Sequence, residues 1–424
     1  MTLIQKMVGQ GCGCDAPDHS GHITIDEALA RIARIARPVA GSETIPLRDA
    51  SGRVLSQSVR ARAMVPPFAN AAMDGYAINT ADLVGDGPWD LQVIGRVTAG
   101  QAPRLPHARR TAVQIFTGAP VPDGANAVVM QEHVQPTDHG IRLTRKTAPR
   151  THIRAAGEDM TAGKIVVPAG HKLTARDIGP CAAAGHHDIT VCRPLRAALL
   201  VTGDEVCGPG AARGTAGIWD VNTPMLHAAI SSPAVTLCHR EIAADTRDAL
   251  RTQLSNLASQ VDLVITTGGL SVGEEDHVKP ALADLGASVA FSGVALKPGK
   301  PVSFGQIGSA FWLGLPGNPL SAFVTWYLFG TELCRALSGQ TVPKASRRHV
   351  VLSRALRHKP GRCELRLARL CGYDDLGRDL AEFDDSTHSG RVANLPEMDG
   401  MMFIPAEAEI LPAGALIEFQ SFLS

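Results

Sequence analysis

Four short stretches of this chain carry residue types that do chemistry, and all four sit where apolar segments end. In TTGGLSVGEEDHVK, residues 266–279, Gly268, Gly269 and Gly273 surround Ser271 directly after the apolar run VDLVITT. Glycines there let backbone N–H groups close around an anion, and a following helix adds its positive end. A plain glycine-rich turn reads the same way. Glu205 in TGDEV, Asp262 at the opening of the second apolar run and Asp276 beyond the glycines supply three carboxylates to one sheet edge. Such a set suits Mg²⁺, a hard cation that takes oxygen ligands and shares its waters with phosphate. The simpler reading makes Asp262 a strand cap and Asp276 a helix-start charge. LKPGKP holds Lys297 and Lys300 close on a proline-stiffened turn, and GLPGNPLSAF places Pro316, Gly317 and Asn318 before Ser321 at the start of an apolar helix. Paired ammonium groups, a hydroxyl and helix-start amides fit an oxyanion or phosphate, although a solvated basic loop and a helix cap use the same residues. A fifth stretch, PPFANAAMDGYAI, residues 66–78, sets Asn70, Asp74 and Tyr76 between apolar arms. It reads as a loop, a turn between strands or a binding site.

The elements that must position these residues follow from pattern. ITIDEALARIARI has helical spacing, with Thr24 and Glu27 placed to form a capping box. Val54 to Met64 and Trp89 to Val97 alternate as half-buried strands do. TAVQIFTGAPVPDGANAVVMQE reads as strand, turn, strand, and KIVVPAGHKLTARDIGPCAAAGHHDITV as strand, a helix opened near Thr174, and strand, packing back beside the first helix. From Arg196 onward, AALLVTGDEV, TPMLHAAISS and VDLVITTGGLSVG alternate strand and helix, the pattern of a parallel sheet with right-handed crossovers. Ligands of such sheets lie beyond the carboxyl ends of the strands. After Pro343, RHVVLSRAL, CELRLARL and ALIEFQSFL predict a small β-domain. The resulting division is a flexible tail (1–21), a linker domain (22–65 with 155–194), a β-rich module (66–154), an α/β domain (195–342) and a C-terminal β-domain (343–424). The fold class is multidomain α/β plus β.

Composition limits the functions available. The chain has 424 residues, 45% of them apolar, and 41 basic residues balance 41 acidic ones. A length of this order predicts about three or four modules. Balanced charge argues against a broad nucleic-acid binder and leaves room for one local anion site. No run approaches a membrane-spanning helix, and MTLIQKMVGQGCGCDAPDH lacks the form of a signal peptide, so the cytoplasm is expected. The odd cysteine count of nine fits reduced thiols. Cys12, Cys14, Asp15, His19 and His22 are metal-ligand types, but their spacing lacks a second pair and the segment reads as a flexible tail.

The ordered series PPFANAAMDGYAI, IFTGAPVPDGANAVVMQE, GEDM, TGDEV, TTGGLSVGEEDHVK, KPGKP and LPGNPLSAF resembles the molybdopterin molybdenumtransferase family, of the MoeA type, and is similar to the E domain of gephyrin. The resemblance runs from about His22 to the C-terminus. It implies an elongated four-part chain that inserts molybdenum from molybdate into adenylylated molybdopterin and releases AMP in a Mg²⁺-dependent step. It also implies a homodimer whose active cleft is shared. Asp74, Thr117 and Asp159 of one subunit would face Glu205, Asp262, Asp276, Lys297, Lys300 and Ser321 of the other. Ser389 matches a family serine near molybdate. A molybdopterin adenylyltransferase and downstream cofactor-maturation factors are the implied partners.

Three positions depart from the family pattern. Gly293 stands where many relatives carry lysine, Ala71 or Ala72 where they carry serine, and Leu367 where the C-terminal domain often supplies arginine, with Arg366 or Arg369 as replacements. An adenylyltransferase that makes the adenylylated pterin, and a catalytically degenerate scaffold, are the alternative functions.

Overall fold

A computed structural model describes residues 22–103, 108–208, 210, 214–270, 276–341, 347–385 and 388–422. Helix α1 (Ile25–Ile35) starts at Thr24, whose hydroxyl accepts the Glu27 amide at 3.1 Å. Glu27 turns its carboxylate to Arg31, one helical turn on, so only half of the expected capping box forms. The buried stripe Ile25, Ala28, Leu29 and Ile32 enters the core that also holds Phe291, Leu333 and Leu337. α1 therefore packs on the α/β unit, because its apolar stripe finds a larger apolar partner there.

The segment from Val54 to Met64 is no continuous strand. Val54 bridges Lys172, Leu55 bridges Val191, and only Val59–Arg60 forms a short pairing, with Ile165–Val167. Successive residues bond to different neighbours, which keeps a single ladder from running through. β1 (Ser42–Pro46) waits for its partner until the chain returns.

Six strands then build the β-rich unit: β2 (Gly75–Ile78), β3 (Trp89–Val97), β4 (Thr111–Ile115), β5 (Ala127–Met130), β6 (Val134–Thr137) and β7 (Gly140–Leu143). Their order is β5-β2-β4-β3-β7-β6. PPFANAAMDGYAI thus supplies the strand between β4 and β5. Gly75 marks a close approach and not a bend: a Cβ there would sit 1.9 Å from the Val129 carbonyl oxygen.

The chain comes back through α2 (Ala175–Ala183), with a full capping box between Thr174 and Asp177. It enters β8 (Asp188–Cys192), which pairs antiparallel with β1 along its whole length. The return segment is therefore stitched to β1, and its buried residues form a core with Leu47, Leu55 and Val59, separate from the core that α1 enters.

The α/β unit follows as β9 (Leu195–Thr202), α3 (Asn222–Ile230), β10 (Val235–Ala243), α4 (Arg247–Gln260), β11 (Leu263–Thr267), α5 (Val278–Asp284), β12 (Ser288–Ser292), β13 (Leu296–Lys297), β14 (Ser303–Ile307), β15 (Ala310–Leu315), α6 (Pro319–Thr325) and α7 (Thr331–Leu337). The sheet order is β10-β9-β11-β15-β14-β12. β10, β9, β11 and β15 run parallel, as expected; at one edge β14 pairs antiparallel with β15, and β12 antiparallel with β14. The cause of the reversal is a two-residue turn at Gly308 and Ser309, with Gly308 at φ +59°. β9 and β11 are buried almost throughout, as strands covered on both faces must be.

The C-terminal unit holds β16 (Arg348–Leu352), β17 (Cys363–Tyr373), β18 (Asp379–Phe383), β19 (Gly400–Ile404) and β20 (Leu416–Ser421). β17 pairs with both β18 and β19, closing the sheet on itself. β13 adds to β17 in parallel, so the lysine-bearing segment is hydrogen-bonded to this unit.

Candidate active site

A cleft of about 700 Å³ opens beyond the carboxyl ends of β9, β11 and β15. Each strand gives way to a loop that lines it: Gly203 and Glu205, then Gly268, Gly269 and Asp276, then Pro316, Gly317 and Asn318. Lys297, Lys300, Ser321 and Ser389 complete the wall. The loops approach closely because two of them have no side chain at the contact. A Cβ on Gly317 would lie 3.3 Å from Gly268 Cα, and one on Gly268, at φ +95°, would lie 2.6 Å from Thr202 Oγ1. Ser271 and Gly273 lie outside the described residues.

The carboxylates divide. Glu205 and Asp276 line the cleft, whereas Asp262 is at the opposite end of β11, about 16 Å of strand away. Asp262 opens β11, and a parallel strand carries its first residue away from the edge where ligands sit. There the Asp262 carboxylate receives Arg193 through Nη1 and Nη2 at 2.7 and 2.8 Å, and the Arg196 amide at 2.9 Å. Burial pushes its pKa up, but these donors outweigh that and hold it below the usual value. Asp262 is an anchor between the linker and the sheet, not a member of a three-carboxylate set.

Asp276 is the opposite case. Neither carboxylate oxygen meets a well-formed hydrogen bond among the described residues and both are buried, with the Val278 amide and the Lys279 and His277 charges near enough only to offset part of that burial. Burial, with the nearby Asp245 carboxylate adding to it, raises its pKa to about 6. Asp220, Asp245 and Asn222 also line the cleft and escaped the sequence reading. Asn222 donates to Thr267 Oγ1 at 2.9 Å and to the Gly317 carbonyl at 2.7 Å, tying two loops together. Trp219, half exposed beside Asp220, faces the same space. The sequence signal for Asp220, Asn222 and Trp219 was WDVN, a rare tryptophan beside polar residues, and Asp245 in AADTRD carried none.

The apo protein should record the strain at Asp276. With the folded pKa above the ordinary 3.8, the ionised carboxylate destabilises the fold. That penalty is absent below pH 3.8, grows as pH rises and is complete above about 6. Asp276→Asn should therefore raise stability at pH 7.5 by about 1–2 kcal/mol, allowing for partial exposure, and by nothing near pH 4. Denaturant unfolding at both pH values measures this.

Lys300 is exposed and makes no ion pair among the described residues. Lys297 lies 3.5 Å from Glu364, a residue of β17. Between the two lysines Gly299 takes φ +113°, and a Cβ there would strike Thr325 Cγ2 at 2.4 Å. The helix-start amides expected to face an oxyanion are already engaged, since Leu320 N and Ser321 N both point at the Ser389 carbonyl. Asn318 Nδ2 donates to Ser389 Oγ at 3.1 Å. Ser389 thus builds the loop, and Ser321 is itself almost wholly buried.

Asp74, Thr117 and Asp159 are not part of this cleft's lining within one chain. PPFANAAMDGYAI and the residue before it sew their segments together. Ala71 bonds Ala119 and Gly118 on one side, Ala72 N donates to the His152 carbonyl on the other, and the preceding Val65 accepts from Asp159 N. Thr117 donates both its amide and its hydroxyl to Asp74 Oδ1, each at 2.8 Å. The two donors hold the Asp74 carboxyl below the usual value, with the backbone amide contributing most. Asp159 is exposed.

The family departures have local causes. Gly293 takes φ +91°, and a Cβ there would meet the His22 ring at 2.9 Å, so imidazole fills the space over it. Leu367 lines a smaller cleft of about 300 Å³ with His388 and Arg391. Arg369 pairs with Glu382 at the surface, and Arg366 pairs with Glu364 inside the C-terminal unit. Cys12, Cys14, Asp15 and His19 fall outside the described residues.

Comparison with known proteins matches this arrangement. Residues 23–185 match a family model described as MoeA N-terminal region (domain I and II), and residues 198–336 match one described as probable molybdopterin binding domain. The fold superposes on a solved molybdopterin biosynthesis MoeA protein from Pyrococcus horikoshii with a TM-score of 0.80 and 27% identity, covering 95% of this chain and 100% of that one. Fold and cleft together define a multidomain MoeA-type protein. The chain is 34% identical over 319 residues to the molybdopterin molybdenumtransferase of Haemophilus influenzae, covering 75% of this chain and 78% of that protein. It is 32% identical over 398 residues to molybdopterin molybdenumtransferase 2 of Mycobacterium tuberculosis, covering 92% and 96%. This chain belongs to the molybdopterin molybdenumtransferase family and is a transferase of molybdenum cofactor biosynthesis. Among the described residues no helix is long and apolar enough to cross a membrane.

Proposed function

We propose that this protein inserts molybdenum from molybdate into adenylylated molybdopterin, with Mg²⁺-dependent release of AMP, in a cleft shared by two copies of the chain. The observation that carries the reading is the pairing, in one cleft, of two lysines with the Asp276 carboxylate, buried and without a well-formed hydrogen bond among the described residues. Molybdate is a tetrahedral dianion, and Lys297 and Lys300 supply the matching charge without a covalent step. Asp276, with the exposed Glu205, would hold Mg²⁺. The donor set fits, since Mg²⁺ is usually held by one or two carboxylates and by substrate phosphates. When bound, the ion neutralises charge that develops on the phosphate oxygens.

Asp74, Thr117 and Asp159 would enter from the second copy. Thr117 fixes the Asp74 carboxylate and keeps it ionised, ready to orient a water or complete the metal's shell. The homodimer explains why a built, hydrogen-bonded carboxylate sits outside the cleft of its own chain. In the cytoplasm, a molybdopterin adenylyltransferase would supply the substrate, and maturation factors would take the product.

Reconstitution with adenylylated molybdopterin, Mg²⁺ and molybdate tests the proposal. Molybdate-dependent AMP release supports it. Net ATP consumption would assign adenylyl transfer instead, and absence of turnover would assign a scaffold.

A further inference from the structure

Among the contacts between the sheet domain and the C-terminal domain is a short parallel ladder, β13 on β17, with Leu296 opposite Cys363 and Lys297 opposite Glu364. Beneath that ladder is a polar cluster that the site chemistry above does not use. Glu364 is 2% exposed, Arg366 4% and His358 8%. Arg366 donates Nε and Nη2 to Glu364 Oε1 at 3.1 and 2.8 Å. The other carboxylate oxygen, Oε2, lies 3.7 Å from His358 Nε2 and 3.5 Å from Lys297 Nζ. His358 Nδ1 is 2.7 Å from the Ala408 carbonyl, which can only accept, so that nitrogen carries the hydrogen and Nε2 is turned toward Glu364.

A buried carboxylate is costly unless its partners are well placed, and one so enclosed invites the question of what it holds. The charges answer it. Arg366 neutralises Glu364 from inside the barrel, so Lys297, half exposed at the cleft, keeps a net positive charge for a ligand while its position is set from below. Had Lys297 been the sole counter-charge, the pair would be neutral and a poor receptor for a dianion.

We propose that Glu364 is a positioning residue for Lys297: the C-terminal domain holds the lysine's ammonium at the cleft through Glu364, and Arg366 acts as the counter-charge that leaves Lys297 free to attract an oxyanion. This rests on the reading of Lys297 as an anion-binding group. It also gives Arg366 a role other than replacing the family arginine, since its guanidinium is spent on Glu364.

The first test does not depend on turnover. The intact native protein is treated briefly with an amine-acylating reagent, and labelling is read peptide by peptide. In Glu364→Gln, Lys297 should label about threefold faster or more, because it has lost its carboxylate partner, while Lys300 keeps its wild-type rate. Unchanged Lys297 labelling, or equal acceleration at both lysines, overturns the proposal. In the reconstituted reaction, Glu364→Gln should raise KM for molybdate about tenfold with a smaller effect on kcat, and Glu364→Asp should restore part of the loss. Adding Glu364→Gln to Lys297→Met should cost nothing further, whereas full additivity of the two would contradict a role exercised through Lys297. If Glu364→Gln does not fold, Glu364→Gln/Arg366→Met removes both buried charges and takes its place in the labelling test. Altered labelling with unchanged molybdate KM would keep the positioning and remove Lys297 from the anion site.

Discussion

Asp74→Ala should lower molybdate-dependent AMP release by about 10³-fold while leaving the fold, the thermal midpoint and the subunit association unchanged. The two halves of that result have separate physical grounds. Asp74 is a surface carboxylate whose bonds, to the amide and hydroxyl of Thr117, can be replaced by water. Its neighbour Gly75 begins a strand locked between β4 and β5, so the backbone stays in place without the side chain. Loss of activity would then come from what Asp74 does in the cleft of the other copy. Kinetics, circular dichroism and sedimentation on the same sample measure all three properties. A variant that fails to fold or associate would return Asp74 to a structural role.

Asp262→Ala should behave in the reverse way. Its carboxylate receives two Arg193 bonds and one backbone amide at a largely buried position. Removal strands the Arg193 guanidinium and should cost about 2–4 kcal/mol of stability. Activity per folded molecule should remain near the wild-type level, because Asp262 is a strand's length from the cleft. The sign of the pH dependence follows from its lowered pKa. Stability from this carboxylate is present above the ordinary value of 3.8 and is lost as pH falls through the lower folded value. The difference between wild type and Asp262→Asn in urea should therefore shrink under acid. An Asp262 variant of full stability and no activity would restore it to the site.

These two aspartates show where sequence pattern carries and where it stops. The parallel strands, the glycine loops at their carboxyl ends and the lysine pair follow from periodicity and turn chemistry, which are local. Which end of a strand a residue occupies is local too, and Asp262, directly before LVITT, could have been placed at the far edge by counting along β11. What could not be counted were the partners. Ser389, about 70 residues beyond Asn318, takes the helix-start amides that an oxyanion would otherwise receive. His22 fills the space over Gly293, and Glu364 reaches Lys297 only because β13 joins the barrel. Each is a long-range contact set by packing, and no spacing rule encodes it.

PPFANAAMDGYAI gives the same lesson in one stretch. Its composition reads as a loop, a turn between strands or a binding site, yet Gly75–Ile78 is an inner strand of the sheet whose glycine is required by the approach of Val129. The stretch bonds residues 118–121 on one side and residues 152–157 on the other, and Val65 just before it bonds Asp159. That stitching is what presents Asp74, Thr117 and Asp159 from three separate parts of the chain.

The shared cleft is tested most directly by mixing Asp74→Ala with Glu205→Ala under conditions that let subunits exchange. Neither variant alone should release AMP in a molybdate-dependent reaction. In a mixed dimer one cleft carries both lesions and the other carries none, so equal mixing with random exchange should return about a quarter of wild-type activity. Complete exchange with no returned activity would contradict a cleft built from two copies of this chain.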